Sequence, residues 1–305
     1  MFDLVTVGHF TIDQIFSPKI TTPKPTLGGS PTYVSLAARK LGAKVSMISK
    51  VGGDFPSRYV EWLKANGVDL SGLKRVRDAS TTRFLLKYEK QRRQLQLKNQ
   101  APPIYPEDVP SSLQAKAIHV APIANELSQS VIDKLRGLTD ILSLDPQGFV
   151  RKFDEQGNVW LGKWEDSGIL QKIDIYKSSL DEMKAVTGLA DFRRAVQKIH
   201  EHGAKIIVVT KGMKGSTLFF DEELHEIPAC KPKVVQDVTG AGDAFIGAFL
   251  AEYVQGKDPV WCACVGSASA SFILEGLGPA VFGEKEETYK RAIRIYEKGL
   301  KRLIV

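Results

Sequence analysis

The sequence predicts an α/β protein with a mostly parallel central sheet, and three observations support this fold class. Short apolar runs typical of strands occur along most of the chain. Helical segments alternate with these runs, which implies parallel pairing with helices on both faces of the sheet. The 305 residues are also 43% hydrophobic and 25% charged, which provides a sizeable core and excludes disordered, collagen-like and coiled-coil classes.

The first β-loop-α-β unit lies near residue 1. Phe2–Gly8 and Val45–Val51 are predicted strands, because each is a short apolar run. Pro31–Leu41 is the predicted helix between them, since its alanines and leucines suit a helix and Gly42 ends it.

Later segments continue the same alternation. In chain order they are predicted strands at Ile118–Ala121, Ile141–Leu144 and Ile173–Tyr176, helices at Ser179–Val186 and Ala195–His202, a strand at Ile206–Thr210, a helix after Asp243 and an amphipathic closing helix at Glu284–Leu303. Because parallel sheets bind ligands at the carboxyl ends of their strands, site residues are expected just after these strands.

Two segments break the alternation and predict a small β lid inserted in a single domain of residues 1–305. Residues 10–26 are polar and contain three prolines, and residues 82–100 show apolar alternation at Phe84, Leu86 and Tyr88 without a helical period. Two surface hairpins without function would also fit this pattern. An inserted sheet leaves edges and an apolar face to cover, so a homodimer through the lid is expected.

The formal net charge of +7 is concentrated in Arg83–Lys98, which holds six basic residues against Glu89 alone. Nucleic-acid binding would need a wider basic surface with interleaved aromatic residues, so no nucleic-acid partner is expected. A small phosphorylated or anionic ligand fits a local cluster better. These basic residues are also expected to add positive potential to the site when the lid closes.

The apolar stretches are all shorter than the roughly 18 residues that a bilayer helix needs. The first residues also lack a basic segment before the apolar run. No membrane association and a cytoplasmic location are therefore expected. Cys230, Cys262 and Cys264 are predicted to be structural thiols, because no second cysteine pair or nearby histidine completes a zinc set.

The strongest functional signal is Gly240-Ala241-Gly242-Asp243, immediately before a helical run. Glycines at this point let backbone N–H groups face an anion that the helix N-terminus also attracts. Asp243 alone would fit a helix N-cap. Together with the glycines it also fits a phosphoryl-transfer site, which needs oxyanion donors and a base that accepts the proton of the attacking hydroxyl.

This box resembles the C-terminal signature of the ribokinase-like (PfkB) carbohydrate kinases, and four further pieces occur in that family's order. They are Asp13 after Gly8-His9-Phe10-Thr11, the pair in Leu27-Gly28-Gly29-Ser30, the element Ser179-Leu180-Asp181-Glu182, and the loop Thr210-Lys211-Gly212-Met213-Lys214-Gly215. The resemblance implies a ribokinase-like fold with a lid and a kinase that uses ATP and Mg²⁺.

The resemblance also implies a role for each matching residue. Asp243 would be the catalytic base, and the anion hole would consist of Gly240, Ala241 and Gly242. The nucleotide-binding residues would be Ser179, Thr210, Gly212, Gly215, Gly240 and Gly242. The substrate-binding residues would be Asp13, Gly28, Gly29, Ser30, Gln147 and Arg151, and Glu182 would support Mg²⁺ through water. Taken singly, the same residues would fit a turn at Gly28-Gly29, a solvated helix charge at Glu182 and a hairpin bend at Gly212–Gly215.

Two positions depart from the family pattern: Tyr33 and Ser179 stand where the family has asparagine. Within the family, three stretches are most similar to archaeal and plant myo-inositol kinases. They are Gly28-Gly29-Ser30-Pro31-Thr32-Tyr33, Arg92-Arg93-Gln94-Leu95-Gln96-Leu97 and Asp145-Pro146-Gln147-Gly148-Phe149-Val150-Arg151.

The acceptor stays open between a polyol and a nucleoside. A neutral ring of hydroxyls, as in myo-inositol or a sugar, needs acceptors such as Asp13 and Gln147 and gains from hydrogen bonds at Arg151. A nucleoside needs a platform for its base, which Tyr33 or Phe149 would supply. A non-catalytic nucleotide or sugar sensor is the alternative outside the enzymes, although a pure binder has no need of the base Asp243.

Overall fold

The computed structural model describes residues 1–16, 22–23, 25–89, 92–165, 168–297 and 301–303. Part of the first lid segment, residues 17–21 and 24, lies outside the described residues. So does Lys90 in the basic segment, together with the side chains of Arg92 and Arg93.

The described strands follow the chain in this order: β1 Phe2–Val7, β2 Thr11–Phe16, β3 Thr26–Gly28, β4 Val45–Gly52, β5 Val68–Val76, β6 Thr82–Glu89, β7 Arg92–Asn99, β8 Ala115–Val120, β9 Ile141–Leu144, β10 Arg151–Phe153, β11 Val159–Leu161, β12 Ile175–Ser179, β13 Ile206–Thr210, β14 Ser216–Phe220, β15 Glu223–Ile227 and β16 Lys301–Leu303. The described helices are α1 Ser30–Lys40, α2 Ser57–Ala65, α3 Gln129–Arg136, α4 Gln147–Val150, α5 Leu180–Thr187, α6 Phe192–Glu201, α7 Ala241–Tyr253, α8 Pro259–Ile273 and α9 Lys285–Tyr296.

Within the described residues, ten strands form one sheet in the order β16-β15-β14-β13-β12-β9-β8-β1-β4-β5. The strands from β13 to β5 pair in parallel, and β14, β15 and β16 add antiparallel strands at one edge. The predicted mostly parallel sheet is therefore confirmed.

Helices cover both faces of this sheet. Successive strand residues point to opposite faces. Leu4 accordingly packs in the cluster that contains α1, α7, α8 and α9 residues, whereas its neighbour Val5 packs in the cluster that contains α3, α5 and α6 residues. Ile206 and Ile207 in β13 divide between the same two clusters. Near-continuous apolar strands thus follow from burial on both sides.

The lid is a second described sheet with the order β3-β2-β6-β7. It is not a pair of separate hairpins, because β2 pairs in parallel with β6 and joins the two predicted segments. Its inner face packs Ile15, Phe84 and Leu86 against Ile123 and Ala124 of the body. The predicted lid is confirmed, and dimerisation through it stays a prediction.

The prediction of a closing helix at Glu284–Leu303 is wrong at its C-terminal end. The helix α9 ends at Tyr296, and Lys301–Leu303 pairs instead with β15 as an antiparallel edge strand. Gly299 weakens helix propensity at this point of the sequence, and the edge of β15 offers backbone groups that a strand satisfies. Among the described helices, none combines the length and apolarity needed to cross a bilayer.

Candidate active site

The first turn of α7 carries the predicted anion hole. Gly240 precedes the helix with φ of +80°, a left-handed conformation that glycine adopts readily. A Cβ atom at Gly240 would lie 2.3 Å from the Tyr33 ring, so the ring packs directly against this glycine. The amides of Gly242 and Asp243 lie in the first turn, where N–H groups lack a carbonyl four residues earlier. They are available to an anion, whereas the amide of Ala241, a predicted member of the anion hole, donates to the Val238 carbonyl over 3.4 Å.

Asp243 is the third residue of α7 and not its N-cap, a position that Gly240 occupies. The Ser30 hydroxyl donates a hydrogen bond to Oδ1 of Asp243 over 2.7 Å. Ser30 is the first residue of α1, and Gly29 precedes it with φ of +89°. A Cβ atom at Gly29 would lie 2.3 Å from the His9 carbonyl oxygen, so this tight turn requires glycine. The turn brings two distant motifs together at one carboxylate.

Asp243 lies at the boundary between two cavities. The smaller one, of ≈ 450 Å³, is lined by Thr11, Asp13, Gly29, Ser30, Tyr33, Phe84, Leu86, Leu95, Ile123, Gln147, Arg151, Thr239, Gly240 and Asp243. The larger one, of ≈ 1370 Å³, has a lining that includes Lys177, Ser179, Glu182, Thr210, Gly212, Gly215, Gly240, Ala241, Gly242 and Asp243. Four residues line both cavities, namely Gln147, Arg151, Gly240 and Asp243.

The smaller cavity collects the predicted substrate residues, with Gly28 just behind its wall. Asp13 is 6% exposed, and its Oδ2 would lie 2.1 Å from a Cβ atom at Gly28. Glycine at 28 therefore makes room for the Asp13 carboxylate. Nη1 of Arg151 donates to the Ile123 carbonyl, which fixes the guanidinium between the two cavities.

The apolar wall of the smaller cavity comes from the lid, from Ile123 and from Tyr33, one of the two predicted aromatic platforms. Phe84, Leu86 and Leu95 line it. Phe149 lines neither cavity, because its ring stacks on Trp164 with centroids 5.2 Å apart. The prediction that Phe149 supports a nucleobase is therefore wrong.

The larger cavity combines a polar end with an apolar end. The loop after β13 supplies Thr210, Gly212 and Gly215 to its lining. Gly215 has φ of +89°, and a Cβ atom there would lie 2.1 Å from the Ile227 carbonyl oxygen. The apolar end consists of Met213, Ala229, Val238, Phe245, Ala270 and Leu274.

Glu182 is 8% exposed, so it is not a solvated helix charge. Its Oε2 accepts hydrogen bonds from the amide and hydroxyl of Ser179, at 2.8 and 2.7 Å, in a capping box at the start of α5. Burial raises the pKa of this carboxyl, but Lys177 and the Ser179 hydrogen bonds outweigh burial and hold the pKa below its usual value. Ser179, which stands where the family pattern has asparagine, thus holds the Glu182 carboxylate in place.

A buried ion pair beside the anion hole was missed by the sequence analysis. Nζ of Lys177 lies 2.6 Å from Oδ2 of Asp145. Burial, together with Glu182 and Asp243, raises the pKa of Asp145 to about 6, although Lys177 opposes the rise. Burial lowers the pKa of Lys177, but the three carboxylates raise it above its ordinary value. The signal available in the sequence was a charged residue inside the apolar run that ends at Ser179.

The lid is closed onto the anion-hole loop by Tyr88. Its hydroxyl donates to Oδ1 of Asp237 over 2.6 Å and lies 3.2 Å from Oγ1 of Thr239. Asp237 is 3% exposed and begins the loop that leads to Gly240. This contact ties the lid strand β6 to the loop that forms the anion hole.

For the kinase that the motifs imply, Tyr88→Phe should raise the KM for the acceptor about tenfold, because a hydrogen bond to a charged group contributes roughly 1.5–3 kcal/mol to holding the lid closed. The kcat at saturation should change far less. The matched control is Tyr289→Phe, which removes a tyrosine hydrogen bond to Glu252 outside both cavities. Equal KM values in Tyr88→Phe and the parent protein would show that this contact does not govern lid closure.

The basic lid segment was expected to add positive potential to the site, and three of its six basic side chains are described. Among the described side chains, Arg83 pairs with Asp54, while Lys87 and Lys98 are exposed and line neither cavity. Within the described residues, Arg151 and Lys177 are the cationic side chains that line the two cavities.

The three cysteines lie in two different environments. Cys262 and Cys264 are buried in α8, and burial raises the pKa of both thiols, that of Cys264 to about 12. Cys230 is half-buried and lines the larger cavity.

Comparison with known proteins identifies the family. A family model described as pfkB family carbohydrate kinase matches residues 1–285. The chain belongs to this family. It is therefore a phosphotransferase whose acceptor is a carbohydrate or a nucleoside, and the ribokinase-like fold expected from the motifs is confirmed.

Individual relatives differ in what they act on. The chain is 30% identical over 296 residues to a cytidine kinase of Thermococcus kodakarensis, covering 91% of this chain and 98% of the relative. A solved pyrophosphate-dependent kinase of the ribokinase family, complexed with a pyrophosphate analog and myo-inositol, has a TM-score of 0.81 at 24% identity and covers 94% of this chain and 99% of that one. A putative ribokinase II from E. coli in complex with ATP and Mg²⁺ has a TM-score of 0.81 at 20% identity, covering 96% and 100%.

Proposed function

We propose that this pfkB-family protein is an ATP-dependent kinase that phosphorylates one hydroxyl of a small polyol, such as myo-inositol or a sugar. The observation that carries the proposal is the position of Asp243 between the two cavities, with its Oδ1 held by the Ser30 hydroxyl at 2.7 Å. A base at this boundary reaches an acceptor in the smaller cavity and faces a donor in the larger one. In-line transfer requires this arrangement.

The chain's own residues divide the chemistry between them. Asp243 accepts the proton of the attacking hydroxyl. The amides of Gly242 and Asp243 donate to the oxygens of the transferring phosphoryl group, in a first turn where no intrahelical carbonyl competes for them. The closed lid excludes water, which would otherwise compete as the acceptor.

A nucleoside acceptor is the second candidate, and the apolar lid wall favours it. Phe84, Leu86 and Leu95 face a polar side that includes Asp13, so the cavity suits a molecule with one apolar part and one hydroxyl-rich part. The likeness to the Thermococcus cytidine kinase over 91% of the chain supports the same candidate. The polar side alone would suffice for a cyclitol.

ATP is proposed as the donor because of the size and the apolar end of the larger cavity. Met213, Val238, Phe245 and Leu274 offer a surface on which an adenine ring packs, whereas pyrophosphate needs no such surface. An assay with each donor in turn separates the two, since pyrophosphate should support little or no transfer.

The side chains of the larger cavity that could act as metal ligands suit an Mg²⁺ ion bound mainly through phosphates and water. Within the described residues, no three histidine, cysteine or acidic side chains form a metal cage. Magnesium usually takes one or two carboxylates together with substrate phosphates. Glu182 fits this role, since it lines the larger cavity and its capping box uses only Oε2. When bound there, the ion would neutralise charge on the phosphates.

A substrate panel tests the proposal. ADP release from ATP would be followed with myo-inositol, ribose, fructose, cytidine and adenosine as separate acceptors. Release above the acceptor-free rate with a polyol supports the proposal, and release with a nucleoside alone replaces it with the second candidate. Tight binding without release from any acceptor would favour a sensor.

Asp13→Ala should raise the KM for the true acceptor by roughly 5- to 150-fold, because leaving a buried polar group unpaired costs about 1–3 kcal/mol. The KM for ATP should change little, since Asp13 lines only the smaller cavity. Steady-state kinetics with each substrate varied in turn would measure both constants. A raised KM for ATP with an unchanged acceptor KM would mean that the two cavities have been assigned in the wrong order.

A further inference from the structure

The ion pair between Lys177 and Asp145 lies where a kinase most needs positive charge. The two side chains are only 5% and 1% exposed. Nζ of Lys177 also lies 2.8 Å from the position that a Cβ atom on Gly242 would take. The ammonium group therefore faces the first turn of α7, and glycine at 242 leaves room beside it.

The sheet itself fixes this pair. β9 and β12 are parallel neighbours, with Tyr176 opposite Leu144. Lys177 and Asp145 are the next residues along the two strands, with Asp145 directly after β9 and Lys177 within β12. The Gln147 amide donates to Oδ1 of Asp145 over 3.1 Å, so one carboxylate oxygen is anchored while the other holds the ammonium.

A second buried pair shows what a purely structural arrangement looks like. Lys50 and Asp108 are 8% and 6% exposed, and both lie outside the linings of the two cavities. Lys177, by contrast, lines the larger cavity together with Gly242 and Asp243. A purely structural ion pair has no need to line a cavity, so the position of Lys177 indicates a further role.

We propose that Lys177 is a catalytic residue that contacts the transferring phosphoryl group, and that Asp145 is a positioning residue that holds its ammonium group. The proposal rests on the kinase function proposed above. In that reaction the acceptor oxygen bonds to the γ-phosphorus, the bond to the bridging oxygen of ATP breaks, and ADP leaves with the electron pair. The hydroxyl proton passes to Asp243. Lys177 stays protonated and balances the charge on the phosphoryl oxygens.

The decisive variant removes both members of the pair. Lys177→Met alone leaves a buried carboxylate without its cation and risks unfolding. Lys177→Met with Asp145→Asn removes both charges, and the asparagine keeps an oxygen for the Gln147 amide. The matched control is Lys50→Met with Asp108→Asn, which removes the buried pair outside the site.

The double variant should fold, as judged by thermal melting, and lose on the order of 10² to 10³-fold in kcat, the usual cost of removing one oxyanion donor. The acceptor KM should change by less than about threefold, because Lys177 does not line the smaller cavity. The control pair should keep its kcat whatever its melting temperature. A folded double variant whose kcat stays within about threefold of the parent would overturn the proposal.

Binding of inorganic tripolyphosphate, measured by calorimetry at fixed ionic strength, gives a second readout that needs no acceptor. The double variant should bind it about tenfold more weakly than the parent protein, as expected when one charged hydrogen-bond donor is lost. Equal affinities of the double variant and the parent for tripolyphosphate, or no binding by the parent, would overturn the proposed contact between Lys177 and the phosphoryl group. If the double variant binds tripolyphosphate more weakly than the parent protein, but the parent phosphorylates no acceptor, the proposed function is contradicted and the Lys177 contact stays supported.

Discussion

Asp243→Asn should remove most turnover, with kcat falling on the order of 10² to 10⁴-fold, the usual contribution of a general base. The amide keeps the size of the side chain and still accepts the hydrogen bond that Ser30 donates to Oδ1. It cannot take the proton of the attacking hydroxyl. Both KM values should therefore change little, because the shapes of the two cavities are retained.

Steady-state kinetics of the purified variant test this expectation. Asp181→Asn is the matched control, because this carboxylate is 78% exposed on α5 and lines neither cavity. The control should keep normal turnover. Near-normal turnover in Asp243→Asn would make Asp243 a structural residue of the first helical turn and end its catalytic assignment.

The glycine-rich turn before Asp243 was predictable because its determinants are local. Two glycines around one alanine before a helical run define both the backbone conformation and the free amides, and all four residues are consecutive. Alternating strands and helices likewise predicted a parallel sheet. The residues that the resemblance assigns to substrate and to nucleotide line the smaller and the larger cavity respectively, apart from Gly28 and the residues that line both. Their roles stay predictions.

Contacts between distant segments were not predictable in the same way. Lys177 meets Asp145 only because β9 and β12 are neighbours in the sheet, and nothing in the local sequence states that order. Tyr88 meets Asp237 across 149 positions of the chain. The alternation at Phe84 and Leu86 predicted a strand with one apolar face, but only the folded lid shows that these residues line the smaller cavity.

Gly242→Ala should lower kcat on the order of 10²-fold, as expected when an oxyanion donor is disturbed, while stability is kept or slightly raised. Gly242 lies inside α7 without a positive φ, and alanine favours a helix interior over glycine by about 1 kcal/mol. The added methyl group would lie 2.8 Å from Nζ of Lys177, so the ammonium must move. It would also occupy space beside the amides that face the phosphate.

Thermal melting and kcat, measured on the same preparation, separate the two effects. Gly137→Ala at the end of α3 is the matched control, since a Cβ atom there comes no closer than 3.5 Å to a neighbouring atom. A sharp fall in melting temperature with full activity per folded molecule would make Gly242 a conformational residue. If the methyl group acts by displacing Lys177, its effect on kcat should shrink in the Lys177→Met, Asp145→Asn background, because changes at residues in contact are not additive. An undiminished effect there would mean that the methyl group obstructs the phosphate directly.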